Sequence, residues 1–216
     1  MEKPFDHHPH SHELAADVVI RRRVKAELRK RMRGLRNTFP ADVCAAKSRV
    51  IVQKLTERQD VAVAKNVALF WPIESRHEVD LRELDAQLRK RGVRVFYPAI
   101  EPETKTMTFR LVDDVSILTD LTFGFAAPQK DAHEARPDEI DVIVVPALAI
   151  APSGHRIGYG AGYYDRTIGR FLPHAVTIGV AYDFQIVAEI PVTEGDVALD
   201  FVVTETRAFA REDAAP

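Results

Sequence analysis

A single cysteine, Cys44, stands in a chain of 216 residues. One thiol cannot close an intramolecular disulfide or build a cysteine-based zinc cage. It points to a reducing compartment, and the cytoplasm is the expected location. Long apolar runs are missing too. The most apolar stretch, residues 140–152, reads IDVIVVPALAIAP and includes Asp141, Pro146 and Pro152. A membrane span needs about 20 apolar residues, so no membrane role is expected. The opening MEKPFDHHPHSHELAAD has no apolar core of the secretory kind. Excess charge of one sign is the third absence. Lys and Arg number 30 against 32 Asp and Glu, a formal net charge of −2. That balance argues against a strongly basic nucleic-acid binder and against an acidic solvating chain.

What remains is ordinary globular composition, with 46% hydrophobic and 29% charged residues. The length fits one domain, expected over residues 17–208, with tails at 1–16 and 209–216. His7, His8, His10 and His12 crowd the first tail and read as a solvated extension. From residue 17 to 37 Val24, Leu28, Met32 and Leu35 recur at helical spacing, which predicts a helix with that stripe inward. The rest of this helix is basic, with Arg21, Arg22, Arg23 and Lys25 near its start. Pro40 suits the start of a second helix over 41–57. Short apolar runs at 66–70, 93–97, 140–145, 175–180 and 201–204 read as strands, and 106–112 as an edge strand. Helical patterns fill 81–91, closed by Gly92, and 163–171. Strands alternating with helices predict an α/β fold with a mostly parallel sheet. Residues 128–137 read as a polar loop, not a domain boundary.

The most informative segment is P-S-G-H-R-I-G-Y-G-A-G-Y-Y-D, residues 152–165. Gly158, Gly160 and Gly162 alternate between an apolar strand and a helical pattern. Such a loop can adopt positive φ and bring backbone N–H groups close to a ligand. With the helix start behind it, it suits a phosphate. Arg156 adds a fixed positive charge and Asp165 a carboxylate of the type Mg²⁺ takes. The loop is not G-x-x-x-x-G-K-[ST], and Tyr163 breaks the dinucleotide pattern G-x-G-x-x-G.

R-I-G-Y-G-A-G-Y-Y-D after a V-P-x-x-A strand strongly resembles the 5-formyltetrahydrofolate cyclo-ligases, or 5,10-methenyltetrahydrofolate synthetases. The likeness runs over about residues 21–206. It includes the basic helix R-R-R-V-K-A-E-L-R-K-R-M-R-G-L, the segment F-W-P-I-E-S-R-H-E-V-D-L and the ending I-P-V-T-E-G-D-V-A-L-D-F-V-V-T-E. The glycine loop is the specific part. The resemblance implies a three-layer α/β/α sandwich related to sugar-isomerase and CoA-transferase-like folds. It also implies ATP- and Mg²⁺-dependent closure of 5-formyltetrahydrofolate to 5,10-methenyltetrahydrofolate. A monomer or weak dimer is expected.

Residue roles follow from the same resemblance. Arg21, Arg22, Arg23, Val24 and Lys25 would contact the nucleotide, together with Arg156, Ile157, Gly158, Tyr159, Gly160, Ala161, Gly162, Tyr163 and Tyr164. Tyr159, Gly160, Ala161, Gly162 and Tyr163 would also face the folate, beside Trp71 and Glu78. Asp165 and Asp196 would hold Mg²⁺. Arg156 and Tyr163 are the expected catalytic residues. The chain departs from the family pattern where Ala127 stands before Pro128 in place of a common Glu or Gln; Gln129 is the nearby substitute. The segment from Phe70 to Glu78 is also slightly longer than in many relatives, so choosing Glu78 over Glu74 depends on where the extra length sits. Two other readings remain open. One is a divergent relative that binds folate or nucleotide without turnover. The other is a sugar-phosphate isomerase on the related fold, which would need a carboxylate base and no nucleotide.

Overall fold

The computed structural model of the chain describes residues 9–101, 103–120 and 126–212. The first helix, α1, spans Pro9–Asn37, and α2 spans Ala41–Glu57. α1 therefore starts before the expected boundary at residue 17 and takes in half of the expected tail. Proline is tolerated in a first helical turn, and no proline or glycine interrupts the helix between Pro9 and Gly34. His7 and His8 lie outside the described residues. A short α3, Gln59–Val63, leads into β1, Asn66–Ala68, and α4 follows at Arg82–Lys90. Gly92 ends that helix at φ +78°, with Val93 N–H donating to Leu88 O.

β2 runs Arg94–Glu101 and β3 Thr106–Leu111. The sequence had ended β2 at Pro98, yet the strand passes through it. Val112 N–H donates to Val95 O, so alternation turns the odd-numbered residues' hydrogen-bonding groups toward β3. The Pro98 nitrogen faces the other side, where β1 has already ended, and no ladder bond is lost. β4 (Thr119–Asp120) and β5 (Ala126–Ala127) form a small separate pair. β6 is Val142–Pro146; β7 (Ala149–Ile150) and β8 (Arg156–Ile157) make a hairpin. α5, Tyr163–Ile168, is shorter than the sequence pattern suggests, with Gly169 as its C-cap. β9 (Val176–Val180), β10 (Phe201–Val203) and β11 (Ala208–Ala210) complete the chain. β11 occupies the start of what the sequence read as a C-terminal tail.

The seven-stranded sheet has the order β11-β10-β9-β6-β1-β2-β3. Its five central strands are parallel and both edge strands are antiparallel. Alternate residues supply two apolar layers. Val67, Val95, Val142, Val144 and Ile178 pack with Ile51, Leu55, Val61, Leu84 and Leu88 of α2, α3 and α4. Ala68, Phe96, Ile143 and Val145 pack with Ile168 and Phe171 at and beyond α5. Helices thus cover both faces, giving the expected three layers. The loop after residue 128 is not free: Leu111 N–H donates to His133 O and Ala135 N–H to Phe109 O, covering the edge of β3.

One topological feature positions the site. The chain moves outward from β1 to β2 and β3, then returns to lay β6 on the other side of β1. The strand order reverses between β1 and β6, and ligands of open parallel sheets bind in the crevice outside such a point. The segments leaving β1 and β6 there carry Phe70 to Glu78 and the glycine loop.

Candidate functional site

α1 lies across the β7–β8 hairpin rather than on the sheet. Met32 and the partly buried Leu28 close a small core with Leu148, Ala149, Ile157 and Ile190. The sequence stripe is only half right. Val24 and Leu35 are exposed, at 41% and 38%. The buried face instead carries Lys25, Met32 and Arg36, with Arg21 and Arg29 partly buried beside them. Positions 25, 29, 32 and 36 recur at four, three and four, so they share one face. One face of this basic helix turns four cations, Arg21, Lys25, Arg29 and Arg36, toward the protein, while Arg22, Arg23, Lys30, Arg31 and Arg33 stay exposed.

Each cation has a definite station. Arg21 Nη1 donates to Val192 O at 3.0 Å. Lys25 Nζ bonds Thr193 Oγ1 at 2.8 Å and pairs with Asp196 Oδ2. The same carboxylate oxygen accepts Thr193 N–H at 2.7 Å. Burial opposes the Asp196 charge, but Lys25 and Thr193 outweigh it and hold the carboxyl below its ordinary range. Arg29 Nε donates to Gly158 O at 3.0 Å, and its side chain packs over Gly160. Gly160 and Gly162 sit at φ +106° and +70°, which a side chain at either position would strain. Among the described residues, the N–H groups of 158–162 donate to no protein acceptor.

Beneath the loop Arg156 is buried on β8. Its Nη1 donates to Val197 O at 3.0 Å, and Nη2 lies 3.0 Å from Asp165 Oδ1. Nη2 reaches Asp165 without hydrogen-bond geometry and stays unsatisfied. Burial lowers the Arg156 pKa, with Asp165 the main opposing charge. Asp165 also accepts Val197 N–H at 3.2 Å. The two acids expected to hold Mg²⁺ therefore both engage one short segment, 193–197: Asp196 lies within it, Asp165 accepts from its last residue, and each has one oxygen engaged. Among the described residues no group of three His, Cys, Asp or Glu could hold a metal ion unaided.

The third part is a polar cluster at the crevice between β1 and β6. Glu78 is 8% exposed; its Oε2 accepts Ile73 N–H at 2.9 Å and its Oε1 accepts the Tyr159 hydroxyl. Arg36 Nη2 donates to that hydroxyl at 2.6 Å. The Arg76 guanidinium lies 4.7 Å from the centre of the Tyr159 ring, within cation–π range. Burial, reinforced by Glu78, pushes the Tyr159 pKa up, so the phenol keeps its proton and makes a hydrogen bond through it to Glu78. The core fixes this segment from behind: Tyr182 Oη donates to Glu78 O at 3.0 Å, and Asp80 N–H donates to Ser48 Oγ at 3.0 Å.

Of the residues marked in the sequence, Lys25 is joined to Asp196, Arg156 to Asp165 and Tyr159 to Glu78. Glu74 is exposed and pairs with Arg82, so Glu78 is the glutamate that faces the loop. Arg22 and Arg23 are exposed, and the Ile157 side chain is buried in the core beneath α1. Tyr163 is partly buried, its ring 5.5 Å from the Arg166 guanidinium. Tyr164 packs near Phe109 with burial raising its pKa, and Trp71 meets the Tyr97 ring edge-on at 6.0 Å. Ala127 is buried in β5, and the Gln129 carbonyl accepts Arg110. Four residues escaped the sequence reading: Arg29, Arg36, Arg76 and Thr193. The spacing of Arg29 and Arg36 from Lys25 was the available signal.

Comparison with known proteins agrees with this geometry. The model of the 5-formyltetrahydrofolate cyclo-ligase family matches residues 21–205. The chain is similar to 5-formyltetrahydrofolate cyclo-ligase of Escherichia coli strain K12, 31% identical over 152 residues, covering 69% of this chain and 82% of the relative. The Mus musculus 5-formyltetrahydrofolate cyclo-ligase is 27% identical over 204 residues, covering 89% and 98%. Among solved structures, that of Aquifex aeolicus 5,10-methenyltetrahydrofolate synthetase superposes with a TM-score of 0.76 at 29% identity, covering 89% of this chain and 95% of that one. With the family pattern spanning nearly all of the sheet and both walls of the site, the chain belongs to the 5-formyltetrahydrofolate cyclo-ligase family.

Proposed function

We propose that the protein closes 5-formyltetrahydrofolate to 5,10-methenyltetrahydrofolate with ATP as phosphoryl donor, and that the loop of residues 156–164 holds the triphosphate against α1. The observation that carries this reading is the set of uncommitted N–H groups at 158–162, with Arg29 packed against the loop, Arg156 buried on the strand that leads into it, and Lys25 one turn from Arg29 on the same face of α1. Free backbone donors and fixed cations around one loop suit a polyanion. In this reading the formyl oxygen attacks the γ-phosphate and ADP leaves; N10 of the folate then attacks the phosphorylated formyl carbon and loses its proton, and inorganic phosphate departs. No enzyme nucleophile is needed. Arg156 stabilises charge on the transferring group, and the rest of the loop positions it.

Glu78 takes the N–H donors of the pterin, and Trp71 offers a flat apolar wall beside it. Asp165 and Asp196 would hold Mg²⁺. Each has one oxygen not engaged by protein donors, and Mg²⁺ relies on one or two carboxylates, several waters and substrate phosphates. When bound, the ion would neutralise phosphate charge. Tyr163 lines the loop where folate and nucleotide meet. We place the protein in the cytoplasm as a monomer or weak dimer; no helix among the described residues is long and apolar enough to cross a membrane.

The test is direct. Purified protein with 5-formyltetrahydrofolate and Mg-ATP should generate the near-ultraviolet absorbance of the methenyl product, and omission of ATP should abolish it. Arg156→Ala should lower kcat by about 10²–10³-fold, the cost of one charge-stabilising donor, and Asp165→Ala should abolish the Mg²⁺ response. Folate binding without any product would overturn the enzymatic reading in favour of a binding role.

A further inference from the structure

Arg36 is 2% exposed and sits at the inner end of α1. Its guanidinium has one protein hydrogen bond among the described residues, and that bond goes to a neutral phenol. Its Nε is buried with no acceptor at all. A buried guanidinium is stable only when its donors are met, and arginine does not surrender its proton. The nearest formal negative charge in its network, Glu78, lies beyond the Tyr159 hydroxyl. Arg36 and Glu78 nonetheless line the same narrow crevice, with Phe70, Pro146 and Gln185. Gln185 does not meet Arg36 either: its Oε1 is turned to Tyr182 N–H and its Nε2 donates to Ala147 O and Leu148 O. The crevice therefore presents an unmet cationic donor beside a carboxylate acceptor.

Donor and acceptor side by side match one ligand feature, a ring edge with a carbonyl next to N–H groups. The pyrimidinone edge of a pterin has that form. We propose that Arg36 is a further substrate-contacting residue, donating to the ring carbonyl while Glu78 accepts the neighbouring N–H groups, and that the Tyr159 hydroxyl fills this place when no substrate is bound. Tyr159 can vacate it because it stands between Gly158 and Gly160 on the loop. The inference rests on the reading that Glu78 faces the pterin. Arg36 then reads the 4-oxo group of the substrate, so it sets specificity as well as affinity.

The experiment compares binding, without ATP, of 5-formyltetrahydrofolate and its 4-amino-4-deoxy analogue, in which the carbonyl acceptor becomes a donor. Wild-type protein should prefer the 4-oxo compound. Arg36→Met should weaken 4-oxo binding by about 10-fold or more, the range for a hydrogen bond to a charged group. It should leave 4-amino binding unchanged or tighter, so the preference collapses. Arg36→Lys keeps a charge but not the fork, and should cut the preference at least about threefold; it reads the same ratio if the Met variant does not fold. Equal weakening of both ligands, or an unchanged ratio, would overturn the assignment and leave Arg36 as a brace for Tyr159. Glu78→Gln separates the two levels of argument. If it weakens both ligands while Arg36→Met spares the ratio, only the Arg36 assignment falls. If it weakens neither, the folate reading of the crevice falls and takes this inference with it.

Discussion

Helices α1 and α2 follow one another in the chain, yet they bury opposite chemistry. α2 turns Cys44, Ser48, Ile51, Val52 and Leu55 inward onto the sheet. α1 turns Lys25, Met32 and Arg36 inward onto the hairpin and the glycine loop. Burying a Leu55 contributes stability through apolar area. Burying Arg36 costs stability unless its donors are met, and they are met only in part. The difference separates an element that stabilises the sheet from one that serves as a wall of the site.

The largest expected effect comes from breaking the stabilising side. Leu55 is fully buried, so Leu55→Ala should cost about 2–5 kcal/mol. Denaturant unfolding measures the loss. Activity per folded molecule, assayed well below the melting point, should stay within about twofold, because the site is built on α1 and the loops. A large fall in activity at unchanged fold would erase the contrast between the two helices.

Much of this division was legible in the sequence, and the illegible part has a common cause. The β1, β6 and β9 runs announced themselves through continuous apolar stretches, as buried parallel strands do. The glycine loop stood out by glycine spacing, and Glu78 and Asp165 by their place in motifs. Strand boundaries at Pro98 were missed because a proline's tolerance depends on which neighbour its nitrogen faces, and only the sheet order decides that. Arg29 and Arg36 were missed because apolar residues were assumed to point inward. That assumption fails where a helix borders a polyanion or polar-ligand site.

Burial of charge alone does not mark such a site, and Glu139 sharpens the point. It is as buried as Glu78 but fully partnered, by Arg94 Nη1 at 2.8 Å, His133 Nε2 at 2.9 Å and Arg136 N–H at 3.1 Å. Burial opposes its charge, yet these bonds prevail and set its pKa at about 2. A folded-state pKa below the unfolded value means the carboxylate stabilises the fold above about pH 4.3. That contribution is lost as pH falls from there toward 2. Glu139→Gln should therefore destabilise by about 1–3 kcal/mol at neutral pH and flatten the acid limb of a pH–stability curve. Turnover should not change. An altered KM for folate or ATP would show that this cluster reaches the site after all.

The smallest effect should fall on the residue that most misled the helical pattern. Val24 and Met32 belong to one sequence stripe, but Val24 is 41% exposed and Met32 only 5%. Met32→Ala removes a side chain packed between α1 and Ile157, on the strand that carries Arg156. It should cost about 2 kcal/mol, the low end for such a truncation because α1 packs on a small core, and raise the KM for ATP as α1 loosens from the loop. Val24→Ser, about two turns away on the outer surface, should change stability by less than about 0.5 kcal/mol and leave both KM values alone. Thermal melts and steady-state kinetics on the two variants check this together. Equal penalties would mean that α1 is held by its apolar stripe, as the sequence pattern suggests, and not by the cations it directs at the loop.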